Sequence, residues 1–309
     1  MNKYSRIFVA GHNGMLGSAI VKSLTVSNYN NLVLKSRSEV DLFNGEQVND
    51  LFRKNDIEYV FISAAKVGGI KANMADKYKF LVDNIKIQNN IIESAYKYRV
   101  KKICFVGSSC MYPAKCEQPM KEEYLLSGKL EITNEGYALA KIIGMKQIEY
   151  LKKEYGLNGI TVIPCNLYGS NDCFDENRSH VLQALVKKIV DAYYNKDEHI
   201  IAWGDGSPKR EMMHVDDCAN AIVNAMVKYE SDIPLNIGTG VEYSINEFIE
   251  IICKCVGYTG KIIYDKSMPN GMMRKCMDVS RMKSLGYEPK IDINEGIDKL
   301  IKEYISIRK

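Results

Sequence analysis

Five short apolar runs alternate with four amphipathic stretches in the first half of the chain. RIFVAG, LVLKSR, YVFISAA, KKICFVGSS and GITVIPCNLYG are the runs; GSAIVKSLTV, GEQVNDLFRKN, KFLVDNIKIQNNIIESAYKY and YALAKIIGMKQIEYLKKEY lie between them. Runs this short and this apolar read as strands buried on both faces, which need helices above and below them. The alternation predicts an α/β fold with a parallel sheet. After about residue 170 the rhythm breaks into a polar loop (SNDCFDENRSH), a helical stretch, the mixed segment IIAWGDGSPKREMMHVDD, a short strand in LNIGTG and a final helix. This predicts a second, smaller lobe interleaved with the first. The expected division is 1–168 with about 211–240 for the first lobe, and 169–210 with 241–309 for the second.

Bulk properties narrow the function classes. The chain has 309 residues, 46% of them hydrophobic, enough for a large core. Its formal net charge of +4 is spread along the chain, so no nucleic-acid partner is expected. No apolar stretch is long enough for a membrane span, and the N-terminal residues run straight into a strand, so no membrane partner and a cytoplasmic location are expected. The nine cysteines include no CxxC pair, which argues against a metal site and for thiols in a reducing compartment.

The turn after the first run, VAGHNGMLGSAI, places glycines at 11, 14 and 17 between a strand and a helix. Gly11 permits the tight turn, Gly14 lets a pyrophosphate approach the backbone, and Gly17 lets helix and strand pack closely. This pattern predicts a Rossmann-type doubly wound sheet that binds a dinucleotide. The second run ends in Lys35, Ser36 and Arg37 instead of an acidic residue. Cations there suit a ribose 2′-phosphate, so NADP(H) is the expected cofactor, with Asp41 near the adenine.

In EGYALAKIIG, Tyr137 and Lys141 are four residues apart and so share one helix face. The lysine is expected to lower the phenol pKa from its reference near 10 and make Tyr137 an acid–base group. Ser108, at the end of the fourth run, would bond the same substrate oxygen. With AAKVGGI, GSSCMYP, NLYG, SHV and KREMMHVDD, this set resembles the extended short-chain dehydrogenase/reductase family. It is most similar to the members that epimerise and then reduce GDP-linked 4-keto-6-deoxy sugars. The resemblance implies that Ser108, Tyr137 and Lys141 serve reduction, and that Cys110 and His180 form an epimerisation pair.

That pairing suits the chemistry. A C4 ketone acidifies the hydrogens at C3 and C5, and inversion needs a base on one face and an acid on the other. A thiolate is a fair base, with a reference pKa of about 8.5 that nearby cations lower, and an imidazole titrates near neutrality.

The resemblance further implies a cofactor surface from Gly11, Asn13, Gly14, Met15, Leu16 and Gly17. Arg37, Asp41 and Leu42 continue it, then Ala64 and Ala65, then Asn166 and Leu167, with Tyr137, Lys141 and His180 at its edge. The substrate would meet Lys66, Val67 and Gly68, then Ser109, Cys110, Asn134 and Asn166. Arg210 suits a pyrophosphate through a forked contact, and Lys188 would reach the same phosphates. Trp203, the only tryptophan, either covers the nucleotide or packs in the core.

The sequence leaves open whether the sugar is a hexose or a heptose. A catalytically silent NADP-sensing relative would tend to lose the tyrosine or the lysine, and both are here. Ile85, Ile91 and Ile92 in one helix, and Ile142, Ile143 and Ile148 in the other, predict a homodimer through a four-helix bundle.

Overall fold

The computed structural model describes residues 1–175, 179–268 and 270–308; part of the polar loop, 176–178, lies outside them. The chain begins β1 (Ile7–Ala10), α1 (Met15–Val26), β2 (Leu32–Val33), α2 (Gly45–Asn55), β3 (Tyr59–Ile62), α3 (Ile70–Ala75), α4 (Lys77–Lys97), β4 (Lys102–Val106), α5 (Glu135–Tyr155) and β5 (Gly159–Pro164). There follow β6 (Asn166–Tyr168), α6 (Val181–Asn195), β7 (His199–Trp203), β8 (Lys209–His214), α7 (Val215–Lys228) and β9 (Leu235–Ile237). The chain ends with β10 (Glu242–Ser244), α8 (Ile245–Val256), β11 (Lys261–Asp265), β12 (Arg274–Lys275), α9 (Ser280–Ser284) and α10 (Ile293–Ile307).

The main sheet has six strands in the order β2-β1-β3-β4-β5-β9, and every pair in it is parallel. Alternate strand residues feed two cores. Ile7 and Val9 point to the face covered by Ile20 and Leu24 of α1, Met145 of α5 and Ile222 of α7. Phe8 and Ala10 point to the other face, under Leu51 and Phe52 of α2 and Ile91 of α4. The doubly wound architecture follows from this two-sided burial, and each such side chain contributes roughly 1.5–3 kcal/mol by leaving water. A third core, with Leu185 and Ile189 of α6, Phe248 of α8 and Leu300 of α10, lies under the strands that follow the main sheet.

The structure departs from the sequence reading at three places. The second strand is only Leu32–Val33, so Lys35 and Arg37 sit in the loop beyond it. The fifth run is two strands: β5 ends at Pro164, and after Cys165 the chain joins a different sheet, where Asn166 pairs with Met212 of β8. Pro164 has no N–H for a ladder, and the Cys165 N–H donates to Ile237 O at 2.8 Å, so the switch takes one residue. Finally, Ile91, Ile92, Ile142 and Ile148 are buried inside the subunit. The exposed large apolar residues of α5 are Leu139, Ile143, Tyr150 and Tyr155; Leu139, Ile143 and Tyr150 are four and seven residues apart and so share one face.

Helix α5 reaches the sheet closely because Gly144 faces Phe105. A Cβ at 144 would lie 2.3 Å from the Phe105 ring. Gly144→Ala should push α5 off β4 and cost about 1–3 kcal/mol, the usual penalty of overpacking a filled core. Urea unfolding reads this directly; an unchanged midpoint would mean the ring swings aside freely.

Candidate active site

The end of β4 builds the centre of the site. Gly107 is wedged between the Met111 sulfur and Val162 O, where a Cβ would meet them at 2.9 and 3.2 Å. Ser108 then leaves the strand extended and caps a short 3₁₀ turn, Ser109–Met111, its Oγ accepting the Cys110 N–H at 3.4 Å. The same Oγ accepts from Cys110 Sγ at 3.2 Å, and Ser108 stands near enough to the Tyr137 phenol to pull its pKa down. One serine therefore stands beside both groups assigned to the two half-reactions.

Lys141 is buried, and its Nζ donates to Val106 O at 2.8 Å. It lies 4.9 Å from the centroid of the Phe105 ring and 5.7 Å from that of Tyr137. Burial pulls its pKa down to about 8. The expected lowering of the Tyr137 pKa is not found. Burial pushes the phenol up, the Cys110 charge adds to this, and Ser108 offsets only part. Tyr137 is thus protonated at neutral pH, the form that donates.

Burial also raises Cys110, against the opposing pull of Lys275, the Ser108 bond and Lys141. His180 is exposed at the N-cap of α6. The protein around the cleft still holds its pKa below the ordinary value, and the Lys275 charge acts in the same direction. Lys275 was missed by the sequence reading. It stands in the two-residue strand β12, opposite Arg210 of β8. Lys275 lines a small cavity with Cys110, Ser109 and Asn134. Asn134 Oδ1 is buried there without a hydrogen-bond partner. An unpaired buried acceptor of this kind suits a hydroxyl-bearing ligand.

The glycine turn fits a dinucleotide. Gly11 has φ +84°, and a Cβ there would lie 2.7 Å from Ala64 N; one at Gly17 would lie 2.0 Å from Gly11 O. A Cβ at exposed Gly14 would meet only Gly11 O, at 3.4 Å, so its outer side is open for a phosphate. Helix α2 is capped by Asn44, whereas α1 has no side-chain cap and no acidic residue in its first turn. Its N–H groups and positive end are left for an anion. Met15 and Leu16 turn their side chains to the core, leaving only their backbone for a ligand. Asn13 and Arg37 are exposed, and Arg37 makes no ion pair among the described residues, whereas Lys35 is paired with Glu39 at 3.0 Å. Asp41 accepts the Phe43 N–H at 3.2 Å, and Leu42 packs against the second core. Ala65 is half-buried on the loop after β3, and Leu167 is held through its carbonyl by Gln183.

Several expected substrate contacts are occupied within the chain. Lys66 pairs with Asp83 at 2.9 Å, Lys188 donates to Ile201 O at 2.6 Å, and Arg210 to Lys209 O at 2.8 Å. Val67 is exposed, and Gly68 sits where a Cβ would meet Ala72 and Phe80. Trp203 is 49% exposed, so it is not a core residue; the Lys71 ammonium lies 5.0 Å from its ring centroid. His214 is architectural, as its Nδ1 accepts the Asp216 N–H at 3.2 Å and caps α7. No described helix is long and apolar enough to cross a membrane, and no cluster of metal-ligating side chains occurs among the described residues.

A six-stranded parallel sheet, a glycine turn under its first helix, and a Ser–Tyr–Lys set at the C-terminal end of its fourth strand define a class: the extended short-chain dehydrogenase/reductases. The chain belongs to the NAD dependent epimerase/dehydratase family, whose model matches residues 7–238. It is 44% identical over 305 residues to a putative GDP-L-fucose synthase 2 of Arabidopsis thaliana, covering 99% of this chain and 93% of the other. It is 42% identical over 301 residues to the GDP-L-fucose synthase of Escherichia coli K12, covering 94% of each. Among solved structures it resembles MlghC, a GDP-mannoheptose C4 reductase from Campylobacter jejuni with NADP bound. That match has a TM-score of 0.89 and 36% identity, covering 99% of both chains.

The buried lysine gives a pH test. Between about 8 and the ordinary 10.5, the unfolded chain holds a proton that folded Lys141 has lost. Stability relative to Lys141→Met should therefore rise with pH through that window, by at most about 1.4 kcal/mol per pH unit. Urea unfolding of both proteins from neutral pH upward measures it; a constant difference would mean that the folded ammonium titrates as if in water.

Proposed function

We propose that this protein is an NADPH-dependent epimerase and reductase of a GDP-linked 4-keto-6-deoxy sugar, converting GDP-4-keto-6-deoxy-D-mannose to GDP-L-fucose. The observation that carries the reading is the place of Ser108, whose Oγ accepts from the thiol of Cys110 and which stands beside the phenol of Tyr137. A plain reductase has no use for a thiol at that point. The names of the curated relatives favour the hexose, and the heptose reductase named above keeps a heptose as the second reading.

Epimerisation comes first. Cys110, as thiolate, removes the proton from the carbon next to the C4 ketone, and the charge spreads onto O4 as an enolate. Ser108 and Tyr137 are placed to donate hydrogen bonds to that oxygen. His180 returns a proton on the opposite face, which inverts the carbon, and the same exchange serves C3 and C5. The reduction follows. Bound NADPH supplies the hydride to C4. Tyr137 gives its proton to O4, Ser108 orients that oxygen, and Lys141 stands behind the phenol as the proton's replacement and as a donor to the cofactor ribose. The glycine turn and the free end of α1 hold the pyrophosphate, and Arg37 holds the 2′-phosphate. Arg210 and Lys188 serve the GDP phosphates, Trp203 covers the nucleotide, and Asn134 and Asn166 face the sugar.

The protein acts as a homodimer in this reading. Helices α4 and α5 pack side by side, and α5 shows the stripe Leu139, Ile143 and Tyr150. Two such pairs across a two-fold axis make a four-helix bundle that would cover it.

Cys110→Ser should stop solvent deuterium from entering C3 and C5 while leaving a slow reduction of the unepimerised ketone. Tyr137→Phe should do the reverse, with exchange continuing and NADPH oxidation falling about 10²–10⁴-fold. NMR of the products and NADPH absorbance separate the two, and unchanged exchange in Cys110→Ser would remove Cys110 from the mechanism. For assembly, sedimentation at micromolar concentration should give a dimer that Leu139→Glu with Ile143→Glu dissociates; a wild-type monomer would refute the bundle.

A further inference from the structure

Lys275 has a role that its neighbours define. Its ammonium makes no hydrogen bond and no ion pair among the described residues, although the side chain is only partly exposed. The adjacent Arg274 is committed to Glu242 at 2.7 Å on the other side of the strand. Lys275 is also held with unusual firmness for a residue in a two-residue strand. It pairs with Arg210, and the next two residues are fastened to the chain that follows Cys110. The Cys276 N–H donates to Gln118 Oε1 at 2.8 Å, and the Met120 N–H donates to Cys276 O at 2.8 Å. Beyond it, the Asp278 N–H returns to Met120 O at 2.9 Å, and the Met277 N–H donates to buried Glu211 at 2.7 Å. Glu211 in turn accepts from the N–H groups of Thr239 at 2.6 Å and Gly240 at 2.7 Å. The loop that carries the thiol and the strand that carries the lysine are thus stitched together, and both side chains open on one cavity.

We propose that Lys275 is the cation that favours the deprotonated, proton-abstracting form of Cys110 against the burial that opposes it: a positioning residue for the epimerisation half of the reaction. This rests on the reading of Cys110 as the base. The charged and titratable groups around the pair are few. Cys110 faces Lys275, Lys141, Ser108 and Tyr137, with Glu131 on the cavity wall. Burial pulls the Lys275 ammonium down, Arg210 acts in the same direction, and Cys110, Cys165 and Cys116 oppose them. Of these, Lys275 is the largest influence opposing the burial that keeps the thiol protonated, ahead of Lys141. The unpaired ammonium and the buried thiol solve each other's problem: one lacks an anion and the other lacks a cation. Burial, and after it the same charge, hold the His180 pKa below its ordinary value. The two faces of the sugar therefore meet different partners, a thiolate that takes a proton and an imidazole that picks one up from solvent before returning it.

The test uses the full chain without substrate. Alkylation of Cys110 by iodoacetamide is followed across pH by mass spectrometry of its peptide. Thiolate absorbance is followed in parallel, with Cys110→Ser as the blank, because absorbance needs no reagent access. Lys275→Met should raise the midpoint of both curves by a pH unit or more, giving about a tenfold drop in thiolate at neutral pH. Lys275→Arg should restore it. Deuterium exchange at C3 and C5 should fall with the thiolate, while the rate of NADPH oxidation on an already epimerised ketone changes less. A lysine that only gripped the GDP end would raise KM and leave both free-enzyme curves unmoved, and that result would overturn the proposal. If Cys110→Ser kept full exchange while Lys275→Met still displaced the curves, the base assignment would fall and the pairing of lysine with thiol would stand.

Discussion

A single hydrogen bond, from buried Lys141 to the last carbonyl of β4, fixes the relation on which the site depends. It ties the helix that presents Tyr137 to the strand that delivers Ser108 and Cys110. A donor with a charge makes this a strong bond, and Lys141 is buried. The close seat of Gly144 against Phe105 serves the same end by steric means. With helix and strand locked, the serine hydroxyl holds the thiol and stands beside the phenol. If α5 slid by a turn along the strand, no arrangement of side chains would recover that geometry.

The price of this rigidity is the protonation chemistry. The burial that fixes Lys141, Tyr137 and Cys110 also drives each toward its neutral form. For Tyr137 that is useful, since a donor must hold its proton. For a base it is not, and Cys110 needs charge brought from outside the immediate turn. In our proposal the small sheet supplies it through β12. In the proposed mechanism, reduction is assembled from residues of β4 and α5, whereas epimerisation also draws on α6 and β12.

Much of this was legible in the sequence, and the reason lies in range. The glycine turn, the Tyr137–Lys141 spacing and the two-sided apolar runs are local patterns set by backbone periodicity, and the family resemblance supplied the wider set. Three features were hidden because they depend on distant contacts. The run GITVIPCNLYG reads as one strand, since both its halves are buried; only the partner strands, β9 for one and β8 for the other, tell them apart. The isoleucines of α4 and α5 looked outward because both helices are apolar on several sides, and the sheet takes one side first. Lys275 lies in a two-residue strand with no period to read, and its meaning comes from a thiol far upstream. The phenol's pKa failed for a related reason: spacing shows that a lysine is near, but not that burial outweighs it.

The stitching around Met120 also includes Asn236, which is fully buried in β9. Its amide donates to the carbonyls of Met120 and Asp278, and its Oδ1 accepts from the Tyr112 hydroxyl at 2.7 Å. The loop that follows the chemistry-bearing turn is therefore tied at once to the main sheet, through β9, and to the segment after β12. The same few peptide groups that join these parts of the chain also fix the direction in which the turn presents its thiol.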